Sequence, residues 1–402
     1  MALGVDNLGS GLVLPLVLVH VTAVVGVPLG TAGLLLTAGT VVGLLAPPLA
    51  GGLVDRVGPK AVVVVSQALQ AAGVLGYLLA DGAGSVLVAA ALVAAGTQTF
   101  YSSVFALIAD VAPPGPKDRA FAAVEVVRST AFGVGALVAA VLVSRVDPSV
   151  LRAALAVDAA SFVVCAVLLL ALVRPAHHGA RQRAAAVEGE PRPVRADRVL
   201  ANRPYLALVA VTALLALPSD FLLVGVAVFL RELAPGSEWA AGVGITALTA
   251  TSLLTVTVVR LTGHWRRTTS MALGGCCLVA WAAVCAVAVW LPGSWVGPWV
   301  LASTVLLAGG SLLFGSRVNA LAEAAAPPDS RGRHLAAFQY AFTAAGLAAP
   351  LLVSAMAVAL WLPWLVLGAA AAAGAAAVPW VGRRLPEHAV HPGGLVTAAG
   401  QE

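Results

Sequence analysis

Residues 51–60 read Gly-Gly-Leu-Val-Asp-Arg-Val-Gly-Pro-Lys and separate two long apolar runs, at 30–54 and 61–80. Each run is long enough to cross about 30 Å of hydrocarbon as a helix. Because a bilayer offers no water to backbone groups, each crossing must be a helix or a strand of a closed barrel. Barrel strands have about ten residues of alternating polarity, a pattern that these runs lack. The stretch therefore predicts a charged loop between two membrane-spanning helices.

The same pattern extends over all 402 residues, of which 60% are hydrophobic and only 10% are charged. A soluble domain carries about 25% charged residues, so the composition indicates a membrane protein. We predict an all-α membrane protein with 12 transmembrane helices. The spans are expected at 10–28, 30–54, 61–80, 84–109, 120–144, 150–173, 204–230, 240–262, 269–291, 296–322, 334–358 and 360–381.

Positive charge is distributed unevenly between the gaps. Eighteen of the 23 basic residues lie in, or at the edge of, gaps that follow even-numbered spans. Positive residues near span ends are retained on the cytoplasmic side. We therefore predict a multi-pass protein of the cell inner (plasma) membrane with both termini cytoplasmic. The net charge of +5 is interpreted as a topology signal, and no nucleic-acid partner is expected.

The longest polar stretch lies near the middle of the chain. We predict an N-terminal six-helix bundle at 1–173, a cytoplasmic linker at 174–203, a C-terminal six-helix bundle at 204–382 and a cytoplasmic tail at 383–402. A shift of 214 residues aligns Ala-Pro-Pro at 112–114 with Ala-Pro-Pro at 326–328, and Arg119 with Arg333. This repeat predicts two parallel bundles related by a pseudo-twofold axis, as in alternating-access transporters.

The loop at 51–60 resembles the signature of the major facilitator superfamily, G-x-L-x-D-R-x-G-x-[KR]. The matching residues are Gly51, Leu53, Asp55, Arg56, Gly58 and Lys60. The resemblance implies the major facilitator fold and secondary active transport. Residues 106–110, 113–114 and 156–162, with Arg119 and Arg128, resemble the branch that contains macrolide, siderophore and multidrug exporters.

The resemblance also implies a conformational latch that closes the cytoplasmic side. Its expected residues are Gly51, Asp55, Arg56, Gly58, Lys60 and Arg119. Gly51 lets helices approach closely and Gly58 permits a turn with positive φ. Asp55 is expected to face the positive N-terminus of the eleventh span, with Arg56 and Arg119 as possible partners. The alternative is that these charges are solvated loop residues. The second-half loop at 261–267 has no Asp, so we expect any corresponding latch to be degraded.

Inserting a charged side chain into the bilayer costs several kcal/mol, so each charged residue inside a span needs a structural or functional reason. His20, Asp158 and Asp220 are the candidate proton-coupling residues, and a structural hydrogen-bonding role is equally open for each. The candidate substrate cavity comprises Gln98, Tyr101, Arg128, Arg317, Asn319, Gln339 and Tyr340. Arg128 is expected to neutralise Glu125, three residues away. For Arg317 the alternatives are an anionic substrate group, Glu323 or Asp220.

The sequence also limits the energy source and the chemistry. Neither of its two lysines follows glycine as a phosphate-binding loop requires, so we expect no ATP hydrolysis. We find no nucleophile–base set and no metal-ligand cluster, and therefore predict no enzyme activity, no cofactor and no metal. The favoured function is proton-coupled export of amphipathic small molecules by a monomer in contact with lipid. The alternatives are an importer or facilitator of a small polar metabolite, and a non-transporting membrane protein.

Overall fold

A computed structural model describes residues 2–113, 115–143, 148–173 and 199–391, and no β-strand occurs in those ranges. The predicted linker at 174–203 lies outside the described residues up to 198. The predicted tail at 383–402 does so from 392 onward.

Fifteen α-helices occur in the described ranges. Those before the predicted linker are α1 (Ala2–Ala23), α2 (Leu29–Gly43), α3 (Ala46–Val57), α4 (Pro59–Leu78), α5 (Ala83–Val111), α6 (Asp118–Val143) and α7 (Pro148–Leu172). Those after it are α8 (Arg203–Leu233), α9 (Trp239–Thr251), α10 (Thr255–Leu261), α11 (Arg267–Val287), α12 (Gly293–Ala325), α13 (Arg331–Ser354), α14 (Leu362–Gly382) and α15 (Glu387–Val390). Single 3-10 turns flank or join several of them.

These helices form twelve segments that correspond one for one to the predicted spans. Within the described residues, eleven segments are long and apolar enough to cross a membrane, and α1, bent by 45°, makes a twelfth. The pair α2 and α3 forms one segment, Gly30–Val57, and the pair α9 and α10 forms another, Trp239–Leu261. The prediction of an all-helical, multi-pass membrane protein is therefore confirmed.

The first span does not have the predicted bounds of 10–28. Helix α1 begins at Ala2 and ends at Ala23, and it includes two polar residues, Asp6 and Asn7, that are buried inside the protein. The Asn7 side chain donates to the carbonyl of Leu3 at 2.8 Å and to the Asp6 carboxylate at 3.2 Å, which satisfies these polar groups within the helix. A turn separates α1 from α2, and Gly26 adopts a φ of +81° there.

The structure divides into two compact units. The first unit comprises Met1–Ala112, Val124–Asp197 and Pro327–Ala337. Its apolar core draws buried side chains from α1, α4, α5 and α7, among them Leu16, Val74, Val86, Leu155 and Phe162. This unit also includes the beginning of α13, although α13 belongs to the second half of the sequence.

The second unit comprises Pro113–Ala123, Arg198–Ala326 and Phe338–Glu402. An aromatic cluster joins α8, α11 and α14 within it. The ring of Trp364 packs edge-on against the rings of Phe221, Phe229 and Trp281, with centroids 4.9–5.4 Å apart. The unit includes the beginning of α6, so both units differ from the predicted bundles by one helix start.

Candidate functional site

Asp55 lies near the end of α3 and binds the beginning of α13 within the first unit. Its Oδ1 accepts a hydrogen bond from the backbone N–H of Gly332 at 2.6 Å, and its Oδ2 accepts one from the N–H of Arg333 at 3.3 Å. The first N–H groups of a helix have no partner within the helix and carry partial positive charge. The Asp55 carboxylate therefore supplies both the acceptors and the negative charge that this helix start lacks.

Two glycines allow this approach. A Cβ on Gly51 would lie 2.8 Å from the Cα of Arg333 and 2.9 Å from the carbonyl oxygen of Gly332. A Cβ on Gly332 would lie 2.7 Å from Oδ1 of Asp55. Real Cβ atoms do not approach other atoms this closely, so the contact between α3 and α13 requires glycine on both sides.

The remaining motif residues have other partners. Gly58 takes a φ of +90° between α3 and α4, as the tight turn requires. The Lys60 ammonium donates to the carbonyls of Leu170 and Val173, at 3.0 and 2.8 Å, at the end of α7. Cations at a helix C-terminus stabilise its carbonyls, so Lys60 joins the start of α4 to the end of α7.

The structure does not give Asp55 the ion-pair partners that the sequence suggested. Arg56 and Arg119 are exposed, and Arg119 belongs to the second unit. The ion pair of Asp55 is with Arg333, whose Nε lies 3.5 Å from Oδ2. Arg333 replaces them because it lies on the helix that Asp55 caps.

A second polar cluster is buried in the first unit around Arg128. Its guanidinium donates to the hydroxyl of Tyr101 at 2.7 Å and to the carboxylate of Glu125 at 3.4 Å. The Glu125 side chain is half exposed, whereas that of Arg128 is buried. Asp6 on α1 interacts electrostatically with Arg128 and is adjacent to the amide of Gln67 on α4.

Asp158 on α7 belongs to the same cluster. Its side chain interacts electrostatically with Asp6. Within the described residues, its Oδ1 has no hydrogen-bond partner, although the residue is buried. A Cβ on Gly9 would lie 2.5 Å from this oxygen, so α1 passes directly beside it. Two buried carboxylates, Asp6 and Asp158, therefore lie near each other, and Asp6 also interacts with the buried guanidinium of Arg128.

A third cluster lies in the second unit and centres on Asp118, the first residue of α6. Arg317 donates to its Oδ1 at 2.8 Å, and Arg267 donates to both carboxylate oxygens through Nε and Nη2. All three side chains are almost completely buried. Arg317 also donates to the carbonyl and hydroxyl of Thr262, both at 2.8 Å.

A model described as Major Facilitator Superfamily matches residues 1–291 of the chain. The chain belongs to the major facilitator superfamily. This member of the superfamily is a transporter rather than an enzyme. No curated protein matches its sequence.

Solved structures similar to this transporter share its fold at low identity. A bacterial homologue of the iron transporter ferroportin, in an outward-facing state, is 16% identical with a TM-score of 0.73, covering 95% of this chain and 98% of the other. The proton:xylose symporter XylE, bound to 6-bromo-6-deoxy-D-glucose, is 13% identical with a TM-score of 0.72 and 94% coverage of both chains. The fucose:proton symporter FucP of E. coli is 15% identical with a TM-score of 0.70, covering 94% of this chain and 96% of the other.

The transporter's candidate proton-coupling residues are not gathered at one place. Asp158 and His20 lie in the first unit and Asp220 in the second. His20 is buried near the end of α1, and its Nε2 is 3.1 Å from the carbonyl oxygen of Tyr77. Asp220 is half-buried on α8, and its Oδ2 lies 4.0 Å from the position of a Cβ on Gly346. His20 therefore has a structural partner, whereas Asp158 lies in the Arg128 cluster.

The candidate cavity residues also divide between the units. Gln98, Tyr101 and Arg128 lie in the first; Arg317, Asn319, Gln339 and Tyr340 lie in the second. Arg317 does not pair with Glu323 or Asp220 as the sequence suggested, because Asp118 occupies its guanidinium. Asn319 is half-buried, and its Oδ1 has no hydrogen-bond partner in the described part of the chain.

Sequence reasoning missed two buried carboxylates, Asp6 and Asp118, and with Asp118 it missed the ion pair of Arg267. Asp6 was missed because the first span was placed too late, although the apolar residues Leu3, Val5 and Leu8 surround it. The signal for Asp118 is its place in the repeat, since the shift of 214 residues aligns it with Gly332 in the helix start that Asp55 caps.

Proposed function

We propose that this transporter exports amphipathic small molecules by alternating access and that protons drive the export. The buried pair of carboxylates beside Arg128 carries the proposal. Arg128 also pairs with Glu125, so Asp6 and Asp158, if both were ionised, would leave an uncompensated negative charge, and an unpaired buried charge costs several kcal/mol. Binding of one proton to Asp158 or Asp6 removes that cost, so the cluster is suited to take up a proton in one access state and release it in another.

The spans support an amphipathic substrate. They contain few charges beyond those already engaged in the three clusters, and sites for amphipathic ligands are mostly apolar with a few polar groups. The proposed substrate site lies near the bilayer midplane, where transporters built from such repeats bind their substrates. We place the termini in the cytoplasm, as the distribution of basic residues predicts.

The contact between Asp55 and the start of α13 supports the latch. A carboxylate that binds two backbone N–H groups and an arginine stabilises one arrangement of α3 and α13. Alternating access requires that such an arrangement be lost in another state, which a contact of a few kcal/mol permits.

The test uses the purified transporter in proteoliposomes with ethidium as the amphipathic probe. An acidic lumen should drive ethidium accumulation, and an uncoupler should abolish it. Asp158→Asn should lower the proton-driven rate by about tenfold or more, since the amide cannot bind the proton. Glu232→Gln, which neutralises an exposed carboxylate at the end of α8, is the matched control and should transport normally.

Two outcomes contradict the proposal. Proton-driven accumulation by Asp158→Asn at the unaltered rate would exclude this cluster from coupling. Proton-coupled uptake of a sugar such as fucose or xylose, without ethidium transport, would favour the alternative of an importer for a polar metabolite.

A further inference from the structure

The loop at 261–267 lacks the aspartate of the first-half loop, but the second unit contains a buried carboxylate, Asp118, at the start of α6. In the first unit, the loop side supplies the carboxylate, Asp55, and the start of α13 supplies N–H groups. In the second unit, the start of α6 supplies the carboxylate, Asp118, and the residues around the loop at 261–267 supply the cation, Arg267. The charges are therefore reversed: the loop side is negative in the first unit and positive in the second.

We propose that Asp118, Arg267 and Arg317 form a second latch of reversed charge, and that the segment Pro386–His391 is a strap that holds Arg267 in it. The proposal rests on transport by alternating access, and it does not depend on the substrate or on proton coupling.

Two arginines share one carboxylate in this latch, so one positive charge needs other partners. Thr262 supplies two acceptors to Arg317, and the carbonyl of Val259 supplies a third at 3.3 Å. Among the residues that the structure describes, Arg267 has one acceptor besides Asp118, the backbone carbonyl of Ala389 at 2.6 Å from Nη1. Arg267 therefore depends on a residue of the C-terminal segment for its remaining hydrogen bond.

Buried residues and a contact with α12 hold the strap against the second unit. It contains the one-turn helix α15, in which Ala389 and Val390 are buried. His388 contacts the carbonyl oxygen of Ala324 at the end of α12, with 3.1 Å between Nε2 and O. The chain after α14 thus returns to the start of α11 and the end of α12. Loss of the strap would leave the Arg267 guanidinium short of an acceptor.

Hydrogen–deuterium exchange of the purified full-length transporter tests the latch without any substrate. Asp118→Asn removes the charge that two arginines share, and exchange in peptides covering 113–123 should accelerate by about tenfold or more. Arg267→Met should also accelerate exchange in the peptides covering 113–123. Its matched control is Arg266→Met, the exposed neighbour, and the control for the carboxylate is Asp329→Asn, also exposed. Both controls should exchange as the unaltered protein does.

The strap has its own variant, a chain that ends at Arg384. Exchange at 113–123 should accelerate by several-fold in it, less than in Arg267→Met, because the Asp118 ion pair remains. Peptides from the aromatic cluster, at 278–285, should keep their protection in every variant. A general loss of packing would instead accelerate exchange there as well.

The outcomes separate the alternatives. Unchanged exchange at 113–123 in Arg267→Met, or an equal increase in Arg266→Met, overturns the latch. Unchanged exchange in the truncated chain overturns the strap. If Asp118→Asn is not recovered folded, Arg267→Lys replaces it; a single ammonium cannot reproduce the Arg267 contacts, so acceleration is expected, and its absence counts against the latch.

Discussion

Two adjacent glycines in α3 give the sharpest test of the Asp55 contact. Gly51 lies against α13, whereas a Cβ on Gly52 would meet no atom within 4 Å. Replacement by alanine raises helix propensity by about 1 kcal/mol at either position, so that effect cancels when the two variants are compared. What differs is the contact of residue 51 with Gly332 and Arg333.

The magnitude follows from the distances. A methyl group at 51 lies 2.8–2.9 Å from backbone atoms of α13, and ordinary contact needs 3.4 Å or more. The helix start must therefore retreat by about half an ångström, which stretches the 2.6 Å hydrogen bond from Gly332 towards the limit of good geometry and weakens the longer one from Arg333. Overpacking of this kind costs about 1–3 kcal/mol. We take about 2 kcal/mol, or about thirtyfold in the equilibrium.

Exchange of peptides covering 327–337 measures this equilibrium directly. Gly51→Ala should accelerate their exchange by about thirtyfold, and Gly52→Ala by less than about twofold, since only the former strains the contact. Ethidium transport by the same preparations should fall in Gly51→Ala alone. Equal behaviour of the two variants, in exchange and in transport, would refute the account of the contact.

Three further predictions follow from single contacts. Asp55→Asn should lower ethidium transport by about tenfold while the amount of protein in the membrane stays the same, because the amide retains one acceptor but loses the charge. Asp329→Asn is the control and should transport normally. Normal transport by Asp55→Asn would show that the Asp55 carboxylate has no role in transport. Lys60→Gln should lower the melting temperature by a few degrees through loss of the two carbonyl contacts at the end of α7, with Arg56→Gln unchanged, and equal melting of the two would contradict the cap. His20→Gln should lower the free energy of unfolding by about 1 kcal/mol, because the contact with the Tyr77 carbonyl is lost, and should leave the pH profile of ethidium transport unaltered. A shifted pH profile would show that His20 takes part in proton coupling.

The fold was predictable because hydropathy and loop charge act along the sequence. Twelve apolar runs gave twelve segments, and the turn at Gly26 and the positive φ of Gly58 followed from residue type alone. The first span failed for a physical reason. Asp6 is polar, and its burial depends on neighbours on α4, α6 and α7, namely Gln67, Arg128 and Asp158, that no local pattern contains.

Site residues were predictable only where one sequence motif contains both the residue and the feature that explains its role. Asp55 and Gly51 belong to such a motif, and the helix start that they approach was expected near Asp329. Arg333 was missed as a partner because the distance between α3 and α13 along the chain hides it. A buried arginine in a span predicts a ligand or an ion-pair partner. For Arg317 that partner is Asp118, which lies in the gap before the predicted fifth span and which the hydropathy pattern does not single out.

The two proposed latches use one physical device in two ways. A helix start with unpaired N–H groups is stabilised by a nearby carboxylate. That carboxylate can come from another helix, as Asp55 does for α13, or from the first residue of the helix itself, as Asp118 does for α6. In the second case the partners of the carboxylate are cations, as Arg267 and Arg317 are for Asp118. A loop that has lost its aspartate but keeps a buried arginine, such as Arg267, therefore retains a latch whenever the opposing helix begins with a carboxylate.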